Sequence, residues 1–395
     1  MRIVNDLLTA SDNGNVTILS LLDLSAAFDT IDHDIMLTRL SACGCSNVVL
    51  EWFRSYLVGR TQVVKVNDVC SSPAELPFGV PQGSVLGPVL FTIYTTALSS
   101  VIKDTNSDYH YYADDTELYR SETPNNISTL KSNVKVDIEK VGSWMKANKL
   151  KMNEEKTELL CVGKSDKLKV VFDEIEDGLE VSGQTVHFSQ SVRSLGVFLD
   201  SSLTMEAHIR HLCQVLYLQL RRIGKIRHLL TIEATNKLCV SFILSRIDYC
   251  NALFSNLPEK QMSKLQRIQN CAARLVLRQA KHCSARALLR TLHWLPVRAR
   301  VEYKLSTLAY KCLSSSAPSY LSELLSSYTP ARALRSQNAH LLTVPSFKLE
   351  TFGRKSFSVA APLLWNSLPL SLRKADSLAT FKKHLKTHLF NKYLN

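Results

Sequence analysis

The feature that most constrains the fold is an aspartate placed at the end of an apolar run. Residues 16–22 (VTILSLL) have the composition of a short buried strand, and Asp23 follows them directly. A buried carboxylate costs several kcal/mol unless it is paired with a cation or binds a metal. A helix cap is the alternative role for an acid at a strand end. The pattern predicts a mixed first half whose buried strand leads into an acidic site.

Other segments of the first half carry local signals. Asp32 can cap a helix over residues 35–40. Residues 127–145 have a helical period and predict a helix, whereas residues 168–172 are a candidate strand.

A second acidic feature is a pair of adjacent aspartates in a predicted hairpin. Asp114 and Asp115 stand at the turn of HYYADDTELY, between predicted strands over 109–113 and 116–119. Adjacent carboxylates repel each other, and a divalent cation such as Mg²⁺ removes that repulsion. If Asp23 reached the same place, the three acids could hold two Mg²⁺ ions roughly 3.5–4 Å apart for phosphoryl displacement. The alternative is an ordinary solvated turn.

A glycine-rich loop lies between the two acidic features. The segment GVPQGSVLGP (79–88) has glycines that permit close backbone approach, and Gln82 offers a side-chain amide. Ser84 is expected to cap the next helix, with Pro88 in its first turn. The alternative is a loop-to-helix junction with ordinary turn residues.

In this order, LLDLSAAFD, GVPQGSVLGP and YADD resemble the palm motifs of reverse transcriptases, in particular those of non-LTR, LINE-type retrotransposons of the jockey and chicken-repeat groups. The resemblance covers roughly residues 5–200. It implies an α+β right-hand polymerase palm, an antiparallel sheet with packed helices, with truncated fingers and a mostly helical, basic thumb and C-terminal region. It also implies an RNA-directed DNA polymerase that uses two Mg²⁺ ions (Mn²⁺ as substitute), an RNA template, a DNA primer and deoxynucleoside triphosphates.

The resemblance implies roles for the acids and for residues near the nucleotide. Asp23 and Asp114 would bridge both metals, and Asp115 would complete the acidic turn. Phe28 would lie under the incoming sugar and exclude a 2′-hydroxyl; packing in the core is the alternative. The residues expected to touch the incoming nucleotide and the template base are Gln82 and Gly83.

Two later motifs resemble further parts of the same enzymes. In KMNEEKTELL (151–160), Asn153 and Lys156 match the motif in which a lysine protonates departing pyrophosphate, and a surface lysine is the alternative. In SVRSLGVFLD (191–200), Leu195 and Gly196 match the hairpin that grips the primer end.

The charge distribution separates the chain into an acidic and a basic half. The net charge of +13 combines −9 over residues 1–200 with +22 over residues 201–395. This asymmetry predicts a polyanionic partner held mainly by the second half, with a solvated basic helical surface as the alternative. The residues predicted to contact nucleic acid are Arg221, Arg222, Lys225 and Arg227. The aromatics interleaved with them are expected to pack in the core or to stack on bases: Tyr217, Trp294, Tyr303 and Tyr310.

The pattern of predicted helices and strands and the distribution of charge together predict three regions. These are a palm with partial fingers over 1–200, a helical thumb-like region over 201–315 and a less regular extension over 316–395. In the polymerases that the chain resembles, the fingers largely precede the position of Asp23 and supply basic residues, whereas only Arg2 among basic residues precedes it here. The resemblance therefore implies the C-terminal part of a longer polyprotein, and a catalytically inactive relic that only binds nucleic acid is the alternative. No signal peptide, zinc motif or membrane-spanning run is predicted. Protein partners are not predicted. Free cysteines favour an intracellular location, in the cytoplasm or nucleus.

Overall fold

The computed structural model describes residues 1–181, 183–329 and 339–395. The chain divides into two compact units. The sheet unit is Asn15–Val192, and the helical unit is Met1–Gly14 together with Arg193–Asn395. The predicted boundaries at 200 and 315 stay predictions, and residues 330–338 of the predicted extension lie outside the described residues. Within the described ranges, no helix is both long and apolar enough to cross a bilayer.

The strands of the chain, numbered in order, are β1 (Val16–Ser25), β2 (Thr61–Gln62), β3 (Lys65–Val66), β4 (Val69–Cys70), β5 (Ala74–Glu75), β6 (Asp108–Tyr112), β7 (Asp115–Glu122), β8 (Lys151–Val162), β9 (Leu179–Val181), β10 (Gln184–Val186), β11 (Ser191–Ser194) and β12 (Val197–Asp200).

The helices of the sheet unit are α2 (His33–Ala42), α3 (Asn47–Leu57), α4 (Gly87–Thr95), α5 (Leu98–Lys103), α6 (Ile127–Ala147), α7 (Ser165–Val170) and α8 (Phe172–Glu176); α1 (Arg2–Asp12) belongs to the helical unit.

The core of the sheet unit is a four-stranded sheet in the order β6-β7-β1-β8, with every pair antiparallel. β1 is an inner strand of this sheet, and its residues 16–20 are all buried, as the apolar run predicted. The sheet is covered by α6, whose apolar residues recur every three or four positions, and Leu130, Ile138 and Val141 are fully buried. The predicted helix over 127–145 and the predicted hairpin at 109–119 are therefore confirmed.

Local capping also follows the sequence. Asp32 was predicted to cap a helix, and its Oδ1 accepts hydrogen bonds from the N–H groups of Asp34 and Ile35 at 3.0 Å. Ser84 Oγ accepts from the N–H of Gly87 at 3.0 Å, at the start of α4, and Pro88 lies in the first turn. The predicted cap at Asp32 and the predicted place of Pro88 are confirmed. The N-cap position of α4 is Leu86, which makes no side-chain cap, so Ser84 bonds the first N–H of the helix from two residues upstream and is not the cap that was predicted.

One predicted strand is wrong. Residues 168–172 (LKVVF) were expected to form a strand, but α7 and α8 occupy this segment. A short apolar run does not distinguish a strand from a buried helix. Here Val171 is fully buried while Val170 and Phe172 on either side are exposed, and Leu168 and Ile175 pack against the same core. Buried positions three or four residues apart follow the helical period and not the alternation of a strand.

The helical unit begins with α1 and continues from β12 through α9 (Glu206–Ile226), α10 (Ile232–Cys239), a π-helix (Val240–Leu244), α11 (Ser245–Asp248), α12 (Glu259–Leu277), α13 (Ala285–Thr291), α14 (Val297–Leu313), α15 (Ser319–Ser322), α16 (Phe357–Ser367), α17 (Leu370–Arg373) and α18 (Leu378–Leu394).

The core of the helical unit is built around aromatic rings from α14, α16 and α18. Phe381 is fully buried and stacks on Tyr310 with ring centroids 4.6 Å apart, and Trp365 lies 5.7 Å from it. These contacts place Tyr310 in packing rather than on a base. The antiparallel sheet with packed helices, followed by a mostly helical second half, confirms the predicted α+β class.

Candidate active site

Strand register brings Asp23 and Asp115 to neighbouring positions. The β1–β7 pairing ends at Leu22 opposite Thr116, and the next residues along the two strands are Asp23 and Asp115. Residues facing each other across an antiparallel pair have Cα atoms roughly 4.5–5.5 Å apart. The two acids, 92 positions apart in sequence, therefore meet at one end of the sheet.

A tight turn places Asp114 beside them. Tyr112 pairs with Asp115, so Ala113 and Asp114 alone connect β6 and β7. Ala113 has a φ of 53°, a left-handed conformation that is costly for a residue with a Cβ. The turn stores backbone strain at the acidic site, as active-site turns often do.

The acids influence one another electrostatically. Partial burial raises the pKa of the Asp115 carboxyl, and repulsion from Asp114 and from Asp23 raises this pKa further. A cation bound beside Asp115 would relieve the repulsion that Asp114 and Asp23 exert on it. The structure thus brings together all three acids that the sequence singled out.

Asp23 also has a carboxylate oxygen suited to a cation. Its Oδ2 is buried and has no hydrogen-bond partner among the described residues. Lys156 Nζ lies 3.5 Å from this oxygen, and the lysine side chain is 68% exposed. On β8, Asn153 pairs with Asp23 across the sheet next to an irregularity in the register. The predicted Asn153–Lys156 segment therefore lies at the acidic site.

The donor set at this site fits a hard divalent cation. All the candidate ligands are carboxylate oxygens, which Mg²⁺ and Mn²⁺ prefer. In the described parts of the chain, no three or more His, Cys, Asp or Glu side chains are arranged to hold a metal ion by themselves. Mg²⁺ is usually bound by one or two carboxylates, with water and substrate phosphates as the other ligands. The residues present fit a metal that is shared with a substrate.

The glycine-rich loop is anchored next to the end of β1. The N–H of Val80 donates to the carbonyl of Phe28 at 2.9 Å, and the carbonyl of Gly79 lies 2.9 Å from Nε2 of the buried His33. Gly79 has a φ of 86°, and a Cβ there would lie 3.0 Å from the backbone of Asp29. Only glycine permits this approach.

Gln82 is oriented by an acid that sequence reasoning missed. Its Nε2 donates to both carboxylate oxygens of Asp29 at 2.9 Å. Asp29 is the last residue of the LLDLSAAFD motif, and this position was the available signal. Gly83, with a φ of 78°, has open space around its Cα, so its backbone is accessible to a ligand.

The position of Phe28 combines features of its two predicted roles, contact with the incoming sugar and packing in the core. It is half-buried against the sheet core and contacts Phe91 with ring centroids 5.1 Å apart. One part of the ring packs in the core, and the rest stays accessible. Phe28 follows Leu22, the last residue of β1 that pairs with β7, by six positions. The position is compatible with a ring that a bound sugar would touch.

In the helical unit, Leu195 and Gly196 form the turn between β11 and β12, both with positive φ. The hydroxyl of Tyr249 donates to the carbonyl of Leu195 at 2.7 Å. Three of the residues predicted to contact nucleic acid are exposed on α9: Arg221, Arg222 and Lys225.

The assignment of Arg227 to nucleic acid is corrected by the structure. Arg227 is 7% exposed, and its guanidinium donates to the carbonyls of Leu275, Val276 and Leu230 at 2.6–2.8 Å. Leu275 and Val276 are in the last turn of α12, whose carbonyls lack helical partners. Arg227 therefore stabilises a helix end and is not available to a phosphate.

Comparisons with known proteins identify the family of the chain. The family model described as reverse transcriptase (RNA-dependent DNA polymerase) matches residues 1–199. The RNA-directed DNA polymerase from mobile element jockey of Drosophila melanogaster is 27% identical over 231 residues, which cover 56% of this chain and 24% of the relative. The probable RNA-directed DNA polymerase from transposon BS of the same fly is 25% identical over 288 residues, covering 70% and 30%.

Solved structures with a resemblance include telomerases. Apo telomerase from Candida tropicalis has 14% identity and a TM-score of 0.39, over 80% of this chain and 55% of that one. Telomerase from Candida albicans has 13% identity and a TM-score of 0.35, over 80% and 53%. The chain spans less than a third of the length of the curated relatives above. The family match over half of the sequence shows that the chain belongs to the reverse transcriptase (RNA-dependent DNA polymerase) family, with relatives in LINE-type mobile elements.

Proposed function

We propose that the sheet unit is the catalytic palm of an RNA-directed DNA polymerase, which adds deoxynucleotides to the 3′-hydroxyl of a primer. The observation that carries this proposal is the meeting of Asp23 and Asp115 on neighbouring strands, with Asp114 in the turn beside them. The raised pKa of Asp115 supports it, because the neighbouring acids are part of the cause.

Asp23, Asp114 and Asp115 would hold two divalent ions, Mg²⁺ or in its place Mn²⁺. Such ions activate the attacking hydroxyl and neutralise charge on the leaving pyrophosphate. The chain's own contribution is to hold the carboxylates rigidly at a sheet end, so that little reorganisation accompanies the reaction. The buried Oδ2 of Asp23 supports this role, because among the described residues it has no hydrogen-bond partner and its neighbouring cation is the mostly exposed Lys156.

Lys156 would donate a proton to the departing pyrophosphate. Its ammonium group lies 3.5 Å from Asp23 Oδ2, and its side chain is largely exposed, so it can turn from the carboxylate to a bound phosphate. Gln82, held by Asp29, and the open backbone at Gly83 would touch the nucleotide and the template base.

The substrates of this reaction would be an RNA template, a DNA primer and deoxynucleoside triphosphates. Leu195 and Gly196 would grip the primer end, and the exposed Arg221, Arg222 and Lys225 would neutralise backbone phosphates with little sequence preference. We propose an intracellular site of action because all ten cysteines are free.

Replacing Phe28 by Ala is expected to admit ribonucleotides. Removing the accessible part of the ring would leave room for a 2′-hydroxyl, and discrimination between deoxyribonucleotides and ribonucleotides should fall by about tenfold or more. The measurement is the ratio of kcat/KM for the two triphosphates in primer extension. Phe91→Leu, which changes the ring that packs on Phe28, is the control for general loosening. Unchanged sugar selectivity in Phe28→Ala would remove the gate assignment.

The test of the proposed function is primer extension on an RNA template. The full chain is expected to extend a DNA primer with Mg²⁺ and to stop when EDTA removes the metal. Retention of the primer–template without extension, in Mg²⁺ and in Mn²⁺, would overturn the proposal. That result would favour the alternative of a catalytically inactive chain that only binds nucleic acid.

A further inference from the structure

A cavity in the helical unit is lined by none of the residues given a role in the proposed function. One of its lining residues, Tyr303, was expected from the sequence to pack in the core or to stack on bases. It has a volume of about 420 Å³ and lies among α11, α14, α18 and the loop before α14. Cavities of roughly 300–1,000 Å³ accommodate small organic molecules. We call it the lysine cavity, because its wall includes Lys304 and Lys311 of α14 and Lys382 and Lys386 of α18.

The charge of the lysine cavity is strongly unbalanced. The described residues that line it include one carboxylate, Asp248, which is 2.6 Å from Arg300 and is already neutralised by it. In the described ranges, Lys311, Lys382 and Lys386 have no carboxylate within ion-pairing distance. Lys382 and Lys386 are four residues apart on one helix, a spacing at which like charges destabilise a helix. A bound anion would relieve this repulsion.

The floor of the lysine cavity is rigid. Arg300 donates through Nε to the carbonyl of Leu295 at 2.9 Å and through Nη1 to Asp248, and its side chain is 16% exposed. Asn251 is 1% exposed, and Asp248 accepts from its Nδ2 at 3.3 Å. These buried groups fix the cavity wall, so binding a ligand there need not order the floor first.

The remaining wall suits an organic ligand better than a bare anion. Leu295, Leu308 and the ring of Tyr303 contribute apolar surface. Asn251 Oδ1 has no hydrogen-bond partner among the described residues, and an amino or hydroxyl donor would satisfy it whereas a phosphate would not. Cations, a half-buried aromatic ring and an acceptor are what a nucleotide in a single strand requires.

We propose that the lysine cavity seats one nucleotide of a single-stranded nucleic acid, with its phosphate groups on the four lysines and its base against Tyr303 and Leu308. This inference rests on the proposed function, because a nucleic acid is chosen as the ligand on the basis of the proposed template and primer. The site does not include Arg221, Arg222 and Lys225. Those residues would neutralise backbone phosphates, whereas the lysine cavity would hold an unpaired nucleotide.

The test compares charge reversals at two lysines of α18. Lys386 lines the cavity, whereas Lys383 is exposed on the same helix outside it. Binding of a fluorescent oligouridylate is measured by anisotropy, in EDTA and without nucleotides, over a series of salt concentrations. Lys386→Glu should weaken binding about tenfold and reduce the salt slope by roughly one, while Lys383→Glu should change affinity less than about threefold.

A second variant tests the cavity itself without a change of charge. Leu308→Trp would fill part of the cavity and should also weaken binding about tenfold, while thermal melting shows whether the fold is kept. Equal effects of Lys386→Glu and Lys383→Glu, or full binding by a folded Leu308→Trp, would overturn the proposal. Repeating the titrations with oligodeoxyuridylate shows whether RNA or DNA is the strand that binds.

Failure of this inference is distinguishable from failure of the proposed function. The binding measurements need neither metal nor polymerase activity. If the wild-type chain binds RNA and all three variants bind it equally well, only the lysine cavity is wrong. If the wild-type chain binds no single strand at all, the proposed nucleic-acid partner is wrong as well.

Discussion

Replacing Asp114 by Asn is expected to lower primer extension by about a thousandfold or more, while binding of the primer–template is retained. Asparagine has nearly the same size as aspartate, so the strained turn between Tyr112 and Asp115 should persist. The change removes one of the three carboxylate charges that would hold the proposed metal ions. The measurement is the single-turnover rate of extension with Mg²⁺, alongside retention of labelled primer–template on a filter.

A matched control is Asp68→Asn, an identical change at an exposed position just before β4 in the same unit. It should extend at the wild-type rate, because Asp68 contributes to none of the contacts at the acidic site. Extension by Asp114→Asn at a rate close to that of Asp68→Asn would show that the acidic turn does not hold a catalytic metal. Loss of primer–template binding in Asp114→Asn would instead indicate a folding defect.

The second large effect is expected in the helical unit, at Asp12. The carboxylate of Asp12 is buried and accepts backbone N–H groups of Lys348 at 2.9 Å, Leu349 at 2.7 Å and Gly353 at 3.2 Å. It thereby attaches α1, at the start of the chain, to a segment more than 330 residues later. Asp12→Ala would leave these three donors, including that of the buried Gly353, without their charged acceptor, and should destabilise this attachment by about 3 kcal/mol.

Hydrogen exchange of the peptide covering α1 measures this effect, because it reports local opening as a free energy. Asp6→Ala is the control on the same helix: Asp6 forms a partly exposed ion pair with Arg2, and its loss should cost less than about 1 kcal/mol. Gly353→Ala tests the same contact from the other side, because its Cβ would lie 2.6 Å from Asp12 Cγ. Unchanged exchange of α1 in both Asp12→Ala and Gly353→Ala would contradict the anchoring role.

Much of the sheet unit was predictable because its signals are local. The apolar run before Asp23, the hairpin around Asp114 and Asp115, and the cap at Asp32 each depend on a few adjacent residues, and the structure has all three. The error at residues 168–172 arose where the local signal was shortest, since five apolar-rich residues suit either a strand or a buried helix. The roles of the site residues stay predictions until extension is measured.

The order of the motifs determined the family, and the strand pattern around Asp23 and the acid pair determined that the acids stand at strand ends. Only the tertiary structure decided which side chains are available to act. Arg227 resembles Arg221 and Arg222 in sequence, yet it comes one residue after α9 ends and donates to carbonyls almost fifty residues away. Asp29 holds Gln82 across 53 residues, and Asp12 holds the segment at residues 348–353. Side-chain spacing specifies the face of a helix or strand, but the partner that covers this face comes from distant segments, so burial and pairing are properties of the packed chain.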